Sequence, residues 1–401
     1  MRLGLRLPEV RPDEYTVPMT CPYGCGGRYF ALHQQCQKEL SDPNHATVQI
    51  RRYKCVRCGR SFRVHPTGVG RQHRSQRLRG IGVMLYVLGL SYGGVADALA
   101  AFGWAGSKSS VYRDVQAAGE AVTRVRQRQP RREVKVVSAD ATYVVCRGQQ
   151  VTVAVALDAL AGDVLDIELV DSESADTLRA FLTQLQEQYG MEVLLSDDQD
   201  SYKTLADELG VEHSICRAHV NRNVARLVAE LAEEALRGRT VPPPGVQSDL
   251  EQVLADLEYL QQLIALRPPD GAAQLSGFLR RYQAAPPPRK GEKASLWYRL
   301  RMAILRWSNQ WPRLTYDILW NRRHPQPTQP AQPANATNAP AAQRLDGTNN
   351  VAERAIGCWI KDRYRTMRTF KRTASVRNLA QLIPLLAATP NQPTLATLLV
   401  A

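Results

Sequence analysis

The 401-residue chain predicts a multidomain protein: a small cysteine-bound ribbon, an all-α module, and an α/β core interrupted by a helical insertion. Three observations predict it. Four cysteines fall in two close pairs near the start, Cys21 with Cys25 and Cys55 with Cys58. From Val134 the apolar pattern changes from helical to strand-like. A helical period then returns over residues 220–323, ahead of a Pro-rich stretch without charge.

Charge distribution says more than its sum of +14. Residues 1–135 hold 23 Lys/Arg against 9 Asp/Glu, residues 136–343 hold 20 against 26, and residues 344–401 hold 9 against 3. Two basic ends therefore flank an acidic middle. Clustered Lys and Arg are rewarded by a phosphate backbone through counterion release, so nucleic acid is the expected partner. No signal-peptide pattern opens the chain and no run of about 18 apolar residues occurs, which predicts a soluble protein with no membrane contact, cytoplasmic or, in a eukaryote, nuclear.

The ribbon comes first. Cys21-Pro-Tyr-Gly-Cys25 and Cys55-Val-Arg-Cys58 are two knuckles, each able to place two thiolates on one side of a tetrahedron. Together they close a Zn²⁺ site, with glycines 24, 26, 27 and 59 supplying the turns. Cys36 and His33 lie inside the intervening loop and are alternative ligands. Thr47 to Tyr53 reads as a strand between the knuckles.

The all-α module follows. Leu78 to Leu88 has helical spacing, Ser91 caps a short helix that stops at Gly103, and Ser107 caps a third helix carrying Val111, Val115 and Ala118 on one face. Two helices joined by a Gly-containing turn fit a helix-turn-helix, which predicts that Lys108, Ser109, Tyr112 and Arg113 face the major groove. A plain three-helix bundle has the same periodicity. Arg124 to Arg132 reads as a charged linker contacting the DNA backbone.

In the middle, Val134 to Val137, Val151 to Leu157 and Val164 to Val170 read as strands. Ser174 caps a helix carrying Leu178, Phe181, Leu182 and Leu185; Met191 to Leu195 and Val211 to Ile215 are further strands. Asp140 and Asp197 are placed at strand ends, where carboxylates can meet at one edge of a sheet. Asp158 and Asp163 compete with Asp140, as Asp198 and Asp200 do with Asp197, and spacing alone leaves the choice open. Cys216 and His219 share one helical turn without an obvious second pair; a buried polar contact between segments is their expected role. Ser248-Asp-Leu-Glu251 reads as a capping box, and Trp297, Trp307 and Trp311 as core residues of the insertion.

Near the end, Asn350 is placed to cap a helix bearing Glu353. Eight Lys/Arg and one acid follow between Arg354 and Arg377, interleaved with Trp359, Tyr364, Met367 and Phe370. That composition predicts DNA contacts from Lys361, Arg363, Arg365, Arg368, Lys371 and Arg372. Asp140, Asp197 and Glu353 together are equipment for holding two divalent cations, the means of cutting and rejoining phosphodiesters.

On these residues the chain resembles the DDE transposases of bacterial insertion sequences. The pieces that carry the likeness are Asp140-Ala-Thr-Tyr, Ser196-Asp197 with Tyr202 five residues on, Cys216-Arg-Ala-His219-Val-Asn-Arg-Asn223, Thr348-Asn-Asn-Val-Ala-Glu353-Arg, and the tail from Tyr364 to Ser375. The Cys-x-x-His segment looks like that of the Mutator-like branch. The resemblance implies a ribonuclease-H-like core and selects Asp140, Asp197 and Glu353 as the catalytic trio. It implies Mg²⁺, or Mn²⁺ in its place, as the cofactor of strand cleavage and strand transfer, and a homo-oligomer that brings two element ends together in the bacterial nucleoid. Hard oxygen ligands suit Mg²⁺ as thiolates suit Zn²⁺.

The organisation expected is a zinc ribbon over 15–66, a helix-turn-helix domain over 72–128, the core over 133–223 and 345–390, and between them a helical insertion over 224–323 and a Pro-rich linker over 324–344. Two rival readings are a DNA-binding regulator with an inert core and a structure-specific nuclease.

Overall fold

The computed structural model describes residues 7–126, 133–237, 242–246, 248–325, 344–363 and 370–386. The front end is β-rich. Strands β2 (Phe30–Glu39), β3 (Thr47–Cys55) and β4 (Ser61–Val64) form an antiparallel sheet, and β1 (Arg11–Tyr15) pairs with β5 (Pro66–Thr67) beside it.

Three helices follow: α1 (Gln76–Val87), α2 (Tyr92–Ala101) and α3 (Lys108–Arg126). Ser75, Ser91 and Ser107 each accept a hydrogen bond from a backbone N–H in the turn that follows, at 3.0, 3.0 and 3.2 Å. These helices do not stand apart. Their apolar faces belong to one core with the sheet described next and with the last helix, Thr373–Leu386.

The central sheet consists of β6 (Val136–Cys146), β7 (Gln149–Asp158), β8 (Val164–Val170), β9 (Val193–Ser196) and β10 (Glu212–Ile215), in the order β10-β9-β6-β7-β8. β6, β7 and β8 form an antiparallel meander; β9 runs parallel to β6, and β10 parallel to β9. Helices α4 (Ala175–Tyr189) and α5 (Asp200–Leu209) cover one face through Leu178, Phe181, Leu182, Leu185 and Leu205. β6 is longer than its opening apolar run predicted. Asp140 lies in mid-strand rather than at its end, because Ala141 to Cys146 continue pairing with β7.

α6 (Arg217–Arg237), α7 (Leu250–Leu266), α8 (Gly271–Leu279), a 3₁₀ turn (Arg280–Tyr282) and α9 (Leu296–Leu314) build a second core around Leu257, Phe278, Trp297, Trp307 and Trp311, all buried. The indole N–H of Trp297 donates to the carbonyl of Ser248 at 3.1 Å. Two local expectations need correction. Asp249 caps α7, accepting from the Gln252 N–H at 2.8 Å, while Ser248 is buried one residue too early. The boundary expected at 223/224 falls inside α6, since no helix breaker interrupts it and its apolar stripe continues from Val220 into Leu231.

α10 (Tyr316–Arg323) leads out of the insertion, and the segment returns as α11 (Asn350–Ala355), which continues as π-helical turns through Ile356–Lys361. α12 (Thr373–Leu386) lies between β8 and α3. Gly119 allows that approach: a Cβ there would stand 2.4 Å from Cβ of Asn378. Among the described residues no helix is long and apolar enough to cross a membrane. The Pro-rich stretch 326–343, residues 127–132 of the charged linker, and Arg365 and Arg368 lie outside the described residues.

Candidate active site and metal centre

The four knuckle cysteines converge. Their sulfurs lie within 4.8 Å of one another, with Cys21 Sγ to Cys58 Sγ at 3.8 Å and Cys25 Sγ to Cys55 Sγ at 3.7 Å. Tetrahedral thiolates at ~2.3 Å from Zn²⁺ require edges of about 3.8 Å, so the donor set fits that ion. Backbone N–H groups of Cys58 and Arg57 pull the Cys55 thiol down to about 7 against the effect of burial. The loop has no room for a side chain at Gly27, whose Cβ would stand 2.6 Å from Cys55 Sγ. Cys36, on β2, is not in the cluster, and neither is His33.

A second centre lies where β9 leaves the sheet. Ser138 pairs with Leu195, so two residues on, Asp140 lines up with Asp197, just past the end of β9. Burial pushes Asp140 up to about 6; Asp197 and Glu173 add to the rise, and the Ala141 N–H and His219 oppose it. Asp197 is raised as well, chiefly by burial and then by Glu173, against the Gln199 N–H and His219. Burial is thus the main cause in both, with carboxylate charge adding to it and His219 opposing it.

Asp198 has a different task. Its buried side chain pairs with Lys203 Nζ at 2.6 Å and with the Arg306 guanidinium at 2.5 Å, tying α5 to α9 of the insertion. Asp158 likewise accepts from the Leu160 and Ala161 N–H groups at 3.0 and 2.9 Å and caps the β7–β8 turn. Asp197 is held from behind by a relay. Arg313 donates to His213 Nδ1 at 3.3 Å, His213 Nε2 lies 2.9 Å from Ser196 Oγ, and Ser196 Oγ donates to the Asp197 carbonyl at 3.0 Å. A guanidinium only donates, so Nδ1 accepts and Nε2 carries the proton.

Glu353 lies on α11 and is paired: its Oε1 is 3.1 Å from Arg222 and 3.4 Å from His219 Nε2. His219, paired with Glu353, also acts electrostatically on the two aspartates, and the neighbouring Cys216 thiol raises its pKa. Among the described residues only the cysteine cluster brings three metal-ligand atoms within 4.8 Å, so Asp140, Asp197 and Glu353 do not close on one point.

Asn349, not Asn350, occupies the N-cap position of α11. Its side chain is engaged in the core instead of capping the helix. Ser138 donates to Asn349 Oδ1, and Asn349 N–H donates to Cys216 Sγ at 3.1 Å. Cys216 thereby makes the buried contact between segments expected of it. Asn349 escaped sequence reasoning, although its place beside the Glu353 turn was a signal. Glu173, three residues past β8, was also missed; no local pattern marks it.

The expected DNA contacts divide. Lys108, Ser109 and Arg113 are exposed at the start of α3, and Lys361, Lys371 and Arg372 are exposed near the end of the chain. Tyr112 is half-buried: its ring packs edge-on against Tyr92 and its hydroxyl accepts from Arg372 at 3.0 Å. Arg363 needs correction. It is buried, stacked over Tyr86 at 4.5 Å, and donates to the Gly89 and Leu90 carbonyls at 2.9 and 3.0 Å. The α1–α2 turn leaves those carbonyls unpaired, and the guanidinium fork satisfies them rather than a phosphate. A cavity of about 650 Å³ opens beside Asp197, lined by His219, Asn223, Arg226, Tyr298 and Met302 among others.

The family model described as "Transposase, Mutator family" matches residues 59–264. No curated protein sequence matches the chain. Similar solved structures include the HTLV-2 integrase catalytic core domain in complex with magnesium (trimeric form), 14% identical with a TM-score of 0.19, covering 35% of this chain and 93% of that one. Another is the catalytic core domain of BIV integrase, 16% identical with a TM-score of 0.18, covering 43% and 82% respectively.

Proposed function

The chain belongs to the Mutator family of transposases, and from that membership we propose that it binds the terminal repeats of an insertion sequence and carries out metal-dependent strand cleavage and strand transfer. The observation that carries this reading is that Asp140 on β6 lines up with Asp197, just past the end of the neighbouring parallel strand β9, both raised in pKa by burial and by nearby carboxylate charge. Carboxylates so placed repel one another until a cation joins them.

Asp140, Asp197 and Glu353 are the proposed holders of Mg²⁺, or of Mn²⁺ in its place, within a ribonuclease-H-like core. Two such ions supply activation of the attacking hydroxyl and stabilisation of the leaving oxygen. The chain's own residues orient and hold the rest. Arg222 and His219 aim the Glu353 carboxylate, and Asn349 fixes the start of its helix against β6. Lys108, Ser109 and Arg113 read the major groove from α3, while Lys361, Lys371 and Arg372 take phosphates. Tyr112 positions Arg372 rather than reading a base. The same role in phosphate binding is proposed for Arg365 and Arg368.

The proposed organisation keeps the zinc ribbon at 15–66, the helix-turn-helix at 72–128, the core from 133 to the end of β10 and again at 345–390, the insertion from the start of α6 to 323 and the linker at 324–344. Joining two ends needs two bound sites, so the acting form is a homo-oligomer on double-stranded DNA in the bacterial cytoplasm. The test uses zinc-loaded full-length protein, Mg²⁺ or Mn²⁺, and DNA of the native locus with its flanks. Wild type should give border-specific 3′ ends and joined products; Asp140→Ala, Asp197→Ala and Glu353→Ala should bind the ends yet yield neither. Cutting by the triple variant would end the proposal, and nicks without joined products would reduce it to a nuclease.

A further inference from the structure

Glu353 is the acidic residue expected to complete the cation site, yet here its charge is met by Arg222 and His219. A different carboxylate already faces the two aspartates. Glu173 leaves β8 on the turn before α4, and one residue holds it in register with Asp197: the Gln199 side-chain amide donates to Glu173 Oε2 at 2.5 Å, while the Gln199 backbone N–H donates to Asp197 Oδ1 at 3.3 Å. Tyr143, three residues beyond Asp140 on β6, lies near enough for the Glu173 charge to raise its pKa alongside burial.

A second observation points to a missing ligand. The hydroxyl of Tyr202 is buried without a hydrogen-bond partner, and its side chain is only 2% exposed. Asp140, Asp197 and Glu173 all act electrostatically on that hydroxyl. A buried hydroxyl left unpaired costs roughly 1–3 kcal/mol, so a bound group with oxygens to share would relieve it. A hydrated cation is such a group.

We propose that Asp140, Asp197 and Glu173 form the entry site for a hydrated divalent cation, which loads while Glu353 is still paired with Arg222 and His219. Glu173 acts through the ion's water shell. Mg²⁺ sheds its waters reluctantly, so a carboxylate one shell out would hold the ion through them. Arg222 is largely exposed, so the phosphates of bound DNA would compete for it and free the Glu353 carboxylate to join the site. This deepens the transposase reading above and rests on it.

The test is Mn²⁺ binding to full-length, zinc-loaded protein without DNA, read from the free-Mn²⁺ electron paramagnetic resonance signal. Unchanged melting and zinc content serve as the folding controls. Glu353→Gln should bind the first ion within about threefold of wild type. Glu173→Gln should bind it at least tenfold more weakly, Glu173→Asp should recover part of the loss, and Asp140→Asn should abolish binding. Wild-type affinity in Glu173→Gln, or a loss in Glu353→Gln equal to that in Asp140→Asn, overturns the entry site while leaving the metal-dependent transposase intact. Wild-type affinity in Asp140→Asn as well would remove both.

Discussion

Ser138 donates a hydrogen bond to the side-chain oxygen of Asn349 across 211 residues of sequence. That contact fastens the turn before Glu353 to the strand that carries Asp140. Asn349 is fully buried, and its N–H is given to Cys216. Replacing it with Ala leaves Ser138 without its acceptor, at a cost of about 1–3 kcal/mol. Asn349→Ala should lower the unfolding midpoint by several degrees and remove strand transfer with it. Arg222→Ala makes a useful contrast, because an exposed pair is worth under about 1 kcal/mol. If the two variants melt alike, the clamp is not where the stability lies.

At the ribbon, Gly27 is a steric requirement rather than a flexible joint. An added Cβ meets Cys55 Sγ at 2.6 Å and Cys25 Sγ at 3.3 Å. Gly27→Ala should release zinc as fully as the double change Cys55→Ser, Cys58→Ser, and both should weaken binding to element ends. Zinc per chain by elemental analysis decides the matter; one full equivalent retained in Gly27→Ala would contradict this geometry.

His213 makes stability fall in mild acid. Burial, then Arg313 and Lys203, pull its pKa down to about 3, whereas an unfolded histidine titrates near 6.5. Between those values the unfolded chain binds a proton that the folded chain refuses, so stability rises with pH across the window and is lost on the way down. One proton is worth about 1.4 kcal/mol per pH unit once titration is well under way. His213→Gln should therefore flatten the decline in unfolding free energy between roughly pH 6 and pH 4 relative to wild type. Parallel curves for the two proteins would assign the acid sensitivity elsewhere.

Gly119 is where α12 meets α3. A Cβ there would approach Asn378 Cβ to 2.4 Å and its Cα to 2.8 Å, and a backbone atom cannot swing aside. Gly119→Ala should destabilise the shared core by about 1–3 kcal/mol, measured as a lower denaturant midpoint. An unmoved midpoint would mean that the two helices separate at little cost.

Much of this protein could be read from residues close together in sequence. The cysteine knuckles, the Ser75, Ser91 and Ser107 turns, and the strand ending before Asp197 all depend on groups within a few residues, where spacing dictates geometry. The same local rules misplaced Asp140 at a strand end, because the length of β6 is decided by its partner β7. They also assigned Arg363 to DNA on charge alone, when carbonyls more than 270 residues earlier claim it.

The pattern alone determined the four-cysteine cluster, the helical and strand segments and the list of acidic residues, since propensity, capping and ligand spacing act over one or two turns. Only the tertiary structure decided what each acid does. It gave Asp198 to Lys203 and Arg306, set Glu173 beside Asp197, and paired Glu353 with Arg222. A carboxylate's role follows from the charges that surround it, and folding gathers those charges from distant parts of the chain.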